Sequence, residues 1–233
     1  MLRNELPHLL FDEIHRVGPC PECVEPVTQM IDATAFFPGG KGLWMENEAD
    51  VFPSILVLGQ DFSTVKDYEE MLMGDSNDLE CPTWRNLRVL FGKVGIDLSI
   101  CYFSNVFMGL RKTNSAIGRF PGFRDKEFTQ RNIDYLAFQI DVIKPRVIIT
   151  LGIHAATMLG NLSPIDLSDW KLAKRFRDIN SILKQNVDLG SHRCICVSIV
   201  HPSMWYPNAK QMCYMNIQGN DAGISVLSDA INA

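Results

Sequence analysis

The chain has 233 residues, 46% of them hydrophobic and 21% charged, with a formal net charge of −5. That length supports one good core and that balance is ordinary for a soluble globular protein, while the net negative charge argues against a chain coated in nucleic acid and leaves room for a local basic groove. No apolar run approaches the roughly 18 to 20 residues that a membrane span needs.

Residues 4–17 predict a short amphipathic helix through Leu9, Leu10, Phe11 and Ile14, closed by Gly18-Pro19. Cys20-Pro21-Glu22-Cys23 follows as a CxxC in a turn. Residues 24–53 have little periodicity and a Gly39-Gly40 break, so they read as loop with at most one helical turn. The apolar run Ile55-Leu56-Val57-Leu58-Gly59 predicts a strand over about 54–59, buried on both faces, that ends on Gln60-Asp61. Residues 62–82 are polar and Met-bearing and predict a rim loop. A helix then starts at Pro82-Thr83, with Thr83 as N-cap, Trp84, Leu87, Phe91 and Val94 as its apolar face, and Gly95 as its stop.

A second strand, Ile100 to Phe103, ends in Ser104-Asn105. Residues 108–124 form a Gly- and basic-rich connection, and 111–126 carry five basic residues against one acidic. A helix from about Asp125 presents Ile133, Leu136, Ile140 and Ile143 and ends at Pro145. The third strand is Arg146 to Leu151, closed by Gly152 and followed by a short helix at 153–159. A helix near 168–184 precedes the fourth strand, Cys194 to Val200, which runs into His201-Pro202-Ser203, and an amphipathic segment at 220–231 closes the chain.

Four apolar strands alternating with helical patterns predict an α/β fold: a three-layer sandwich with a central four-stranded parallel sheet flanked by helices. Residues 1–50 read as an N-terminal extension, helix plus CxxC loop, packed on a domain of residues 51–233. Right-handed crossovers bring the strand C-ends to one edge, which would carry Gln60-Asp61, Ser104-Asn105, Gly152 and His201-Ser203. Singly, an Asp or Asn at a strand end is most often a turn former, and a His before Pro most often structural. Together, at four successive strand ends, they mark a site.

These residues also resemble a known group. Gly59-Gln60-Asp61, Ser104-Asn105-Val106, Leu151-Gly152-Ile153-His154-Ala155 and His201-Pro202-Ser203 are similar to motifs of the uracil-DNA glycosylase superfamily, over roughly residues 50–230. The resemblance implies hydrolysis of an N-glycosidic bond. Asp61 would orient the water and offset the oxocarbenium-like charge on the sugar, and His201 would donate a hydrogen bond to the departing base. Asn105 would read a pyrimidine edge, backbone N–H groups near Gln60 would add donors, and Phe62 would line the base pocket. Trp84 has two readings, an aromatic platform under the base or the core face of its helix. The segment after His-Pro-Ser, Met204-Trp205-Tyr206-Pro207, is either the apolar wedge such enzymes drive into DNA, with Ser203 as a neighbouring DNA contact, or a surface patch.

The chain departs from the family in two places. Gly-Gln-Asp is normally followed by Pro-Tyr, whose Tyr bars the thymine methyl, whereas here Phe62-Ser63 follows and leaves the base identity open. Cys20 and Cys23 are similar to half of an iron–sulfur ligand set. A four-thiolate iron–sulfur or zinc site from Cys20, Cys23, Cys81 and Cys101 competes with free buried thiols, which is the preferred reading. Arg111, Lys112 and the basic residues of 171–184 either line a groove for phosphates or form solvated faces.

The expected activity is excision of uracil or a related damaged base from DNA, with no cofactor, no membrane and no obligate protein partner. The alternatives are a catalytically silent relative that binds nucleic acid or a nucleobase, and a hydrolase on free nucleosides or nucleotides. The opening Met-Leu-Arg-Asn-Glu-Leu-Pro lacks a signal-peptide pattern and the seven cysteines are irregularly spaced, so the expected compartment is the cytoplasm.

Overall fold

The computed structural model describes residues 1–44, 51–74, 80–190 and 192–233. Its centre is a sheet of five strands: β1 (Ile55–Gly59), β2 (Cys101–Asn105), β3 (Val147–Leu151), β4 (Lys184–Asp188) and β5 (Arg193–Ile199), in the order β2-β1-β3-β5-β4. The first four in that order run parallel, with Gly59 beside Asn105 and Leu58 beside Thr150, and β4 is antiparallel to β5. Every residue of β1, β2 and β3 is buried. This is why they show no alternation of apolar and polar residues, their few polar side chains (Ser104, Asn105 and Thr150) being buried too.

The helices are α1 (Leu6–Asp12), α2 (Val65–Leu72), α3 (Pro82–Val94), α4 (Lys126–Ile143), α5 (Ile153–Leu159), α6 (Ser168–Leu172), α7 (Trp205–Asn208) and α8 (Asn220–Ile231). The step β1-α3-β2 moves one way along the sheet, and β2-α4-β3 crosses back over β1. With right-handed crossovers, α3 and α4 therefore cover opposite faces. Contacts agree, since α3 packs on α8 and α4 on α5. This reversal opens a crevice between the C-ends of β1 and β3, where open α/β sheets take their ligands.

Three expectations are corrected. The sheet has a fifth strand: the helix expected near 168–184 is only α6 plus a 3₁₀ segment, Phe176–Ile182, before β4. In Lys184-Gln185-Asn186-Val187-Asp188 only Val187 is buried, so β4 is a polar edge strand with no apolar run to announce it. The rim loop expected at 62–82 contains α2, opened by a capping box in which the Asp67 N–H donates to Thr64 Oγ1 (3.1 Å) and the Thr64 N–H to Asp67 Oδ2 (3.2 Å). Residues 75–79 of that loop lie outside the described residues. The start of α3 also shifts: Cys81 is its N-cap and Pro82 its first residue, in place of Thr83.

The segment expected as loop at 24–53 holds no helical turn among its described residues; residues 45–50 lie outside them. It runs along the free edge of β2, where the Phe37 N–H donates to the Phe103 carbonyl (2.9 Å) and the Phe103 N–H to the Gly42 carbonyl (2.6 Å). An open edge is thereby covered. Leu6, Leu10, Val17, Phe37 and Trp44 share one core with the sheet. Tyr135 of α4 donates its hydroxyl to the Leu10 carbonyl (2.5 Å). Among the described residues, no helix is long and apolar enough to cross a membrane.

Removing the cap with Thr64→Ala is expected to destabilise α2 by about 1 kcal/mol. Hydrogen exchange should show faster exchange in Val65–Leu72 with α3 unchanged.

Candidate functional site

Four strand exits open on one cavity of about 930 Å³. Gln60 and Asp61 enter it from β1, Asn105 from β2, Gly152 and His154 from β3, and His201 from β5. The convergence expected from the sequence is present.

Asp61 is held by a buried fork. Arg111 Nε donates to its Oδ1 and Nη2 to its Oδ2, both at 2.8 Å, and the two side chains are 4% and 3% exposed. Gln60 Nε2 adds a third bond to Oδ2 (3.0 Å). Burial pushes the Asp61 carboxyl above its ordinary range, while Arg111 and Gln60 pull it back. A carboxylate offers about four lone-pair positions, so the three donors among the described residues leave one open, on Oδ1. Arg111 is therefore no surface phosphate contact, because its guanidinium is spent inside. Lys112 is exposed and paired with Glu25 at 2.8 Å.

Gln60 also ties down the loop above. Its Nε2 donates to the Gly118 carbonyl (2.9 Å) and its Oε1 accepts from the Phe120 N–H (3.1 Å). Both ends of the amide are occupied, so the Gln60 side chain serves to hold the loop.

Asn105 is buried and donates Nδ2 to the Phe37 carbonyl (3.0 Å). Its Oδ1 lies against Gly59, where an added Cβ would come within 2.4 Å of it. Gly59 is the residue that makes room for Asn105. The bonds to Asn105 leave one amide N–H and Oδ1 without partners among the described residues.

His201 turns off β5 and caps the following 3₁₀ turn. The Ser203 N–H donates to His201 Nδ1 (3.3 Å) and Ser203 Oγ lies 2.8 Å from it. A backbone N–H only donates, so Nδ1 is the acceptor and Nε2 carries the proton in the neutral ring. Burial lowers the His201 pKa to about 4, which keeps the ring neutral near pH 7. Asn86 of α3 fixes this turn by donating to the Pro202 carbonyl (2.7 Å). His154, half-buried beside the cavity, is also lowered, first by burial and then by the charges of Arg119 and Arg111.

Trp84 belongs to the core and also lines the cavity wall. It is buried among Phe36, Trp44 and Phe103, with ring centroids at 5.1, 5.2 and 4.6 Å. Phe36, half-buried against Trp84, lines the same cavity. Phe62 also lines the cavity, with its ring folded onto Gly39, where an added Cβ would sit 1.8 Å from it, and edge-on to Tyr68. The neighbouring Ser63 hydroxyl donates to Asp67, which lines the same wall. Burial works to raise Asp67, but its bonds from Ser63 and Thr64 win and hold it below the ordinary value.

On the rim, Ser203, Met204 and Tyr206 are exposed, whereas Trp205 is buried against Gly223 of α8. Trp205 is thus a core anchor and not a DNA contact. The four-thiolate alternative is not assembled: Cys101 is buried in β2, Cys23 is exposed in its turn, and no three His, Cys, Asp or Glu side chains among the described residues come together as a metal group. Phe36 and Asp67 escaped the sequence reading, and His154 stood in the Leu151–Ala155 motif without a role; Asp67 carried a signal in the Thr64-x-x-Asp67 capping pattern.

No family model matches the chain, and no curated protein matches it.

Two outcomes are expected. His201 is neutral when folded to about pH 4 but titrates near 6.5 when unfolded, so the unfolded state takes up the proton first. The stability this contributes is full above pH 6.5 and is lost as pH falls toward 4. Melting temperature should therefore drop more steeply over that window in the wild type than in His201→Gln. Separately, Gly59→Ala should cost about 1–3 kcal/mol in a denaturant titration, because Asn105 must move.

Proposed function

We propose that this protein hydrolyses the N-glycosidic bond of uracil or a related damaged base in DNA, on a fold similar to that of the uracil-DNA glycosylases. The observation that carries the reading is the set of groups at three exits of one cavity: a neutral imidazole with a free Nε2–H, an amide with an open donor and acceptor, and a buried carboxylate.

Each group has a role in the reaction. Water oxygen bonds to the anomeric carbon as the carbon–nitrogen bond breaks and its electron pair leaves with the base; the proton the water sheds passes by way of Asp61 to solvent, and the released base anion takes up a proton from solvent. His201 Nε2–H donates to the base oxygen on which negative charge develops. A neutral donor suits this step, since it need not lose its own proton. Asp61 offsets the positive charge on the sugar, and its open Oδ1 position takes a hydrogen bond from the attacking water. Arg111 holds the carboxylate in one orientation and opposes its protonation. Asn105 reads the base edge with its unpaired N–H and Oδ1. The chemistry calls for no cofactor.

A base must leave the duplex to reach such a depth. With Arg111 internal and Lys112 paired, the phosphate contacts fall to the exposed Arg119, Arg124 and Arg175, of which Arg175 lines the cavity mouth. One observation favours a second reading, binding without excision: Asp61 is nearly closed off by Arg111 and Gln60.

The same assay decides between them. Wild-type protein should convert uracil-containing oligonucleotides to abasic sites, and Asp61→Asn and His201→Ala should each lower the rate by roughly 100- to 1000-fold. Binding without release of any modified base tried would sink the enzymatic reading. Asp61 must be ionised to act, so the acid limb of the rate profile should lie above the ordinary carboxylate range. Arg111→Lys, which cannot form the fork, should move that limb to still higher pH.

A further inference from the structure

Every residue from Lys112 to Arg119 is exposed, and the composition is what a solvated turn should have, except at Ile117. Its side chain is 80% exposed, yet it lines the cavity. Scattered exposed apolar residues are ordinary. What sets Ile117 apart is the anchoring beneath it. Its carbonyl accepts from Arg111 Nη1 (3.2 Å), and the next carbonyl, of Gly118, accepts from Arg111 Nη2 (2.7 Å) and Gln60 Nε2 (2.9 Å). Gly118 turns the chain at φ +90°, a conformation that side chains other than glycine's rarely adopt. The loop tip is thus hung on the same buried ion pair that fixes Asp61.

We propose that Ile117 is an apolar wedge that enters the duplex and fills the space left by the extruded base. This rests on the base-excision reading and adds to it a positioning residue from the 112–119 loop. Apolar side chains inserted between base steps offset part of the cost of unstacking. The exits of β1 and β5 are two strand spacings apart, roughly 10 Å, and both Ile117, tied to Arg111 and Gln60 by its loop, and Met204, after the exit of β5, line the cavity. Of the two, Ile117 is the stiffer, being β-branched where Met204 is unbranched, and its backbone is pinned. Arg119, whose guanidinium stacks on Phe123, places a cation at the base of the loop for the flanking phosphate. Inserting Ile117 would bear directly on Arg111, and through it on the carboxylate, so strand engagement and the orientation of Asp61 are mechanically linked.

The test compares excision of uracil from double- and single-stranded forms of one oligonucleotide. Ile117→Ala should lower the duplex-to-single-strand ratio of rates roughly tenfold, about one pairing-and-stacking increment. Ile117→Leu should restore the ratio, and so should placing the uracil opposite an abasic position, where it is already unpaired. A 2-aminopurine beside the uracil should brighten on binding to the Asp61→Asn protein and brighten less when Ile117→Ala is added. Because the side chain is outside the core, the variants should melt as the parent does. An unchanged rate ratio with excision intact would overturn the wedge alone. Absence of both excision and the fluorescence rise in the wild type would overturn the base-excision reading, and the wedge with it.

Discussion

The site depends on one buried ion pair. Two charges removed from water are costly unless their hydrogen bonds are met, and a pair that loses one partner leaves an uncompensated charge. Here Arg111 meets both oxygens of Asp61 and two loop carbonyls, and Gln60 bonds the carboxylate, the loop carbonyl at 118 and the loop N–H at 120. The exit of β1 and the loop above it are thereby one unit. Neither can shift without stranding a charge.

Around that unit the fold works as a frame. The parallel sheet sets the exits of β2, β1, β3 and β5 side by side, and the change of direction after β2 leaves the crevice beside β1. Small residues then decide how close groups come. Gly59 leaves room for Asn105, and Gly39 for the Phe62 ring. The His201 turn is held by Asn86 of α3, and Trp84 of the same helix lines the cavity from the core side.

The charge on each group follows from its surroundings. His201 is neutral because it is buried beside a donor that occupies Nδ1, which makes it a hydrogen-bond donor through Nε2. Asp61 is pulled in two directions, up by burial and down by its partners. Opposed tuning of neighbouring titratable groups is what separates acid from base roles in a shared cavity.

The sequence alone determined the parallel strands, their helical crossovers and the edge at which Asp61, Asn105 and His201 meet, because buried strands must be apolar throughout and crossovers have one hand. It did not announce β4, since an edge strand buries a single residue, Val187, and has no run to read. Tertiary structure decided what each polar residue is for. Arg111, 50 residues along the chain from Asp61, reads as one more basic residue in a charged loop until the fold brings the two together. Trp205 reads as a candidate for contact with DNA until packing encloses it, Trp84 serves both core and cavity wall, and Phe36 comes to the cavity only because residues 36–43 run along the free edge of β2. Periodicity records how a residue sits on its own element; partners distant in sequence settle its charge, exposure and role.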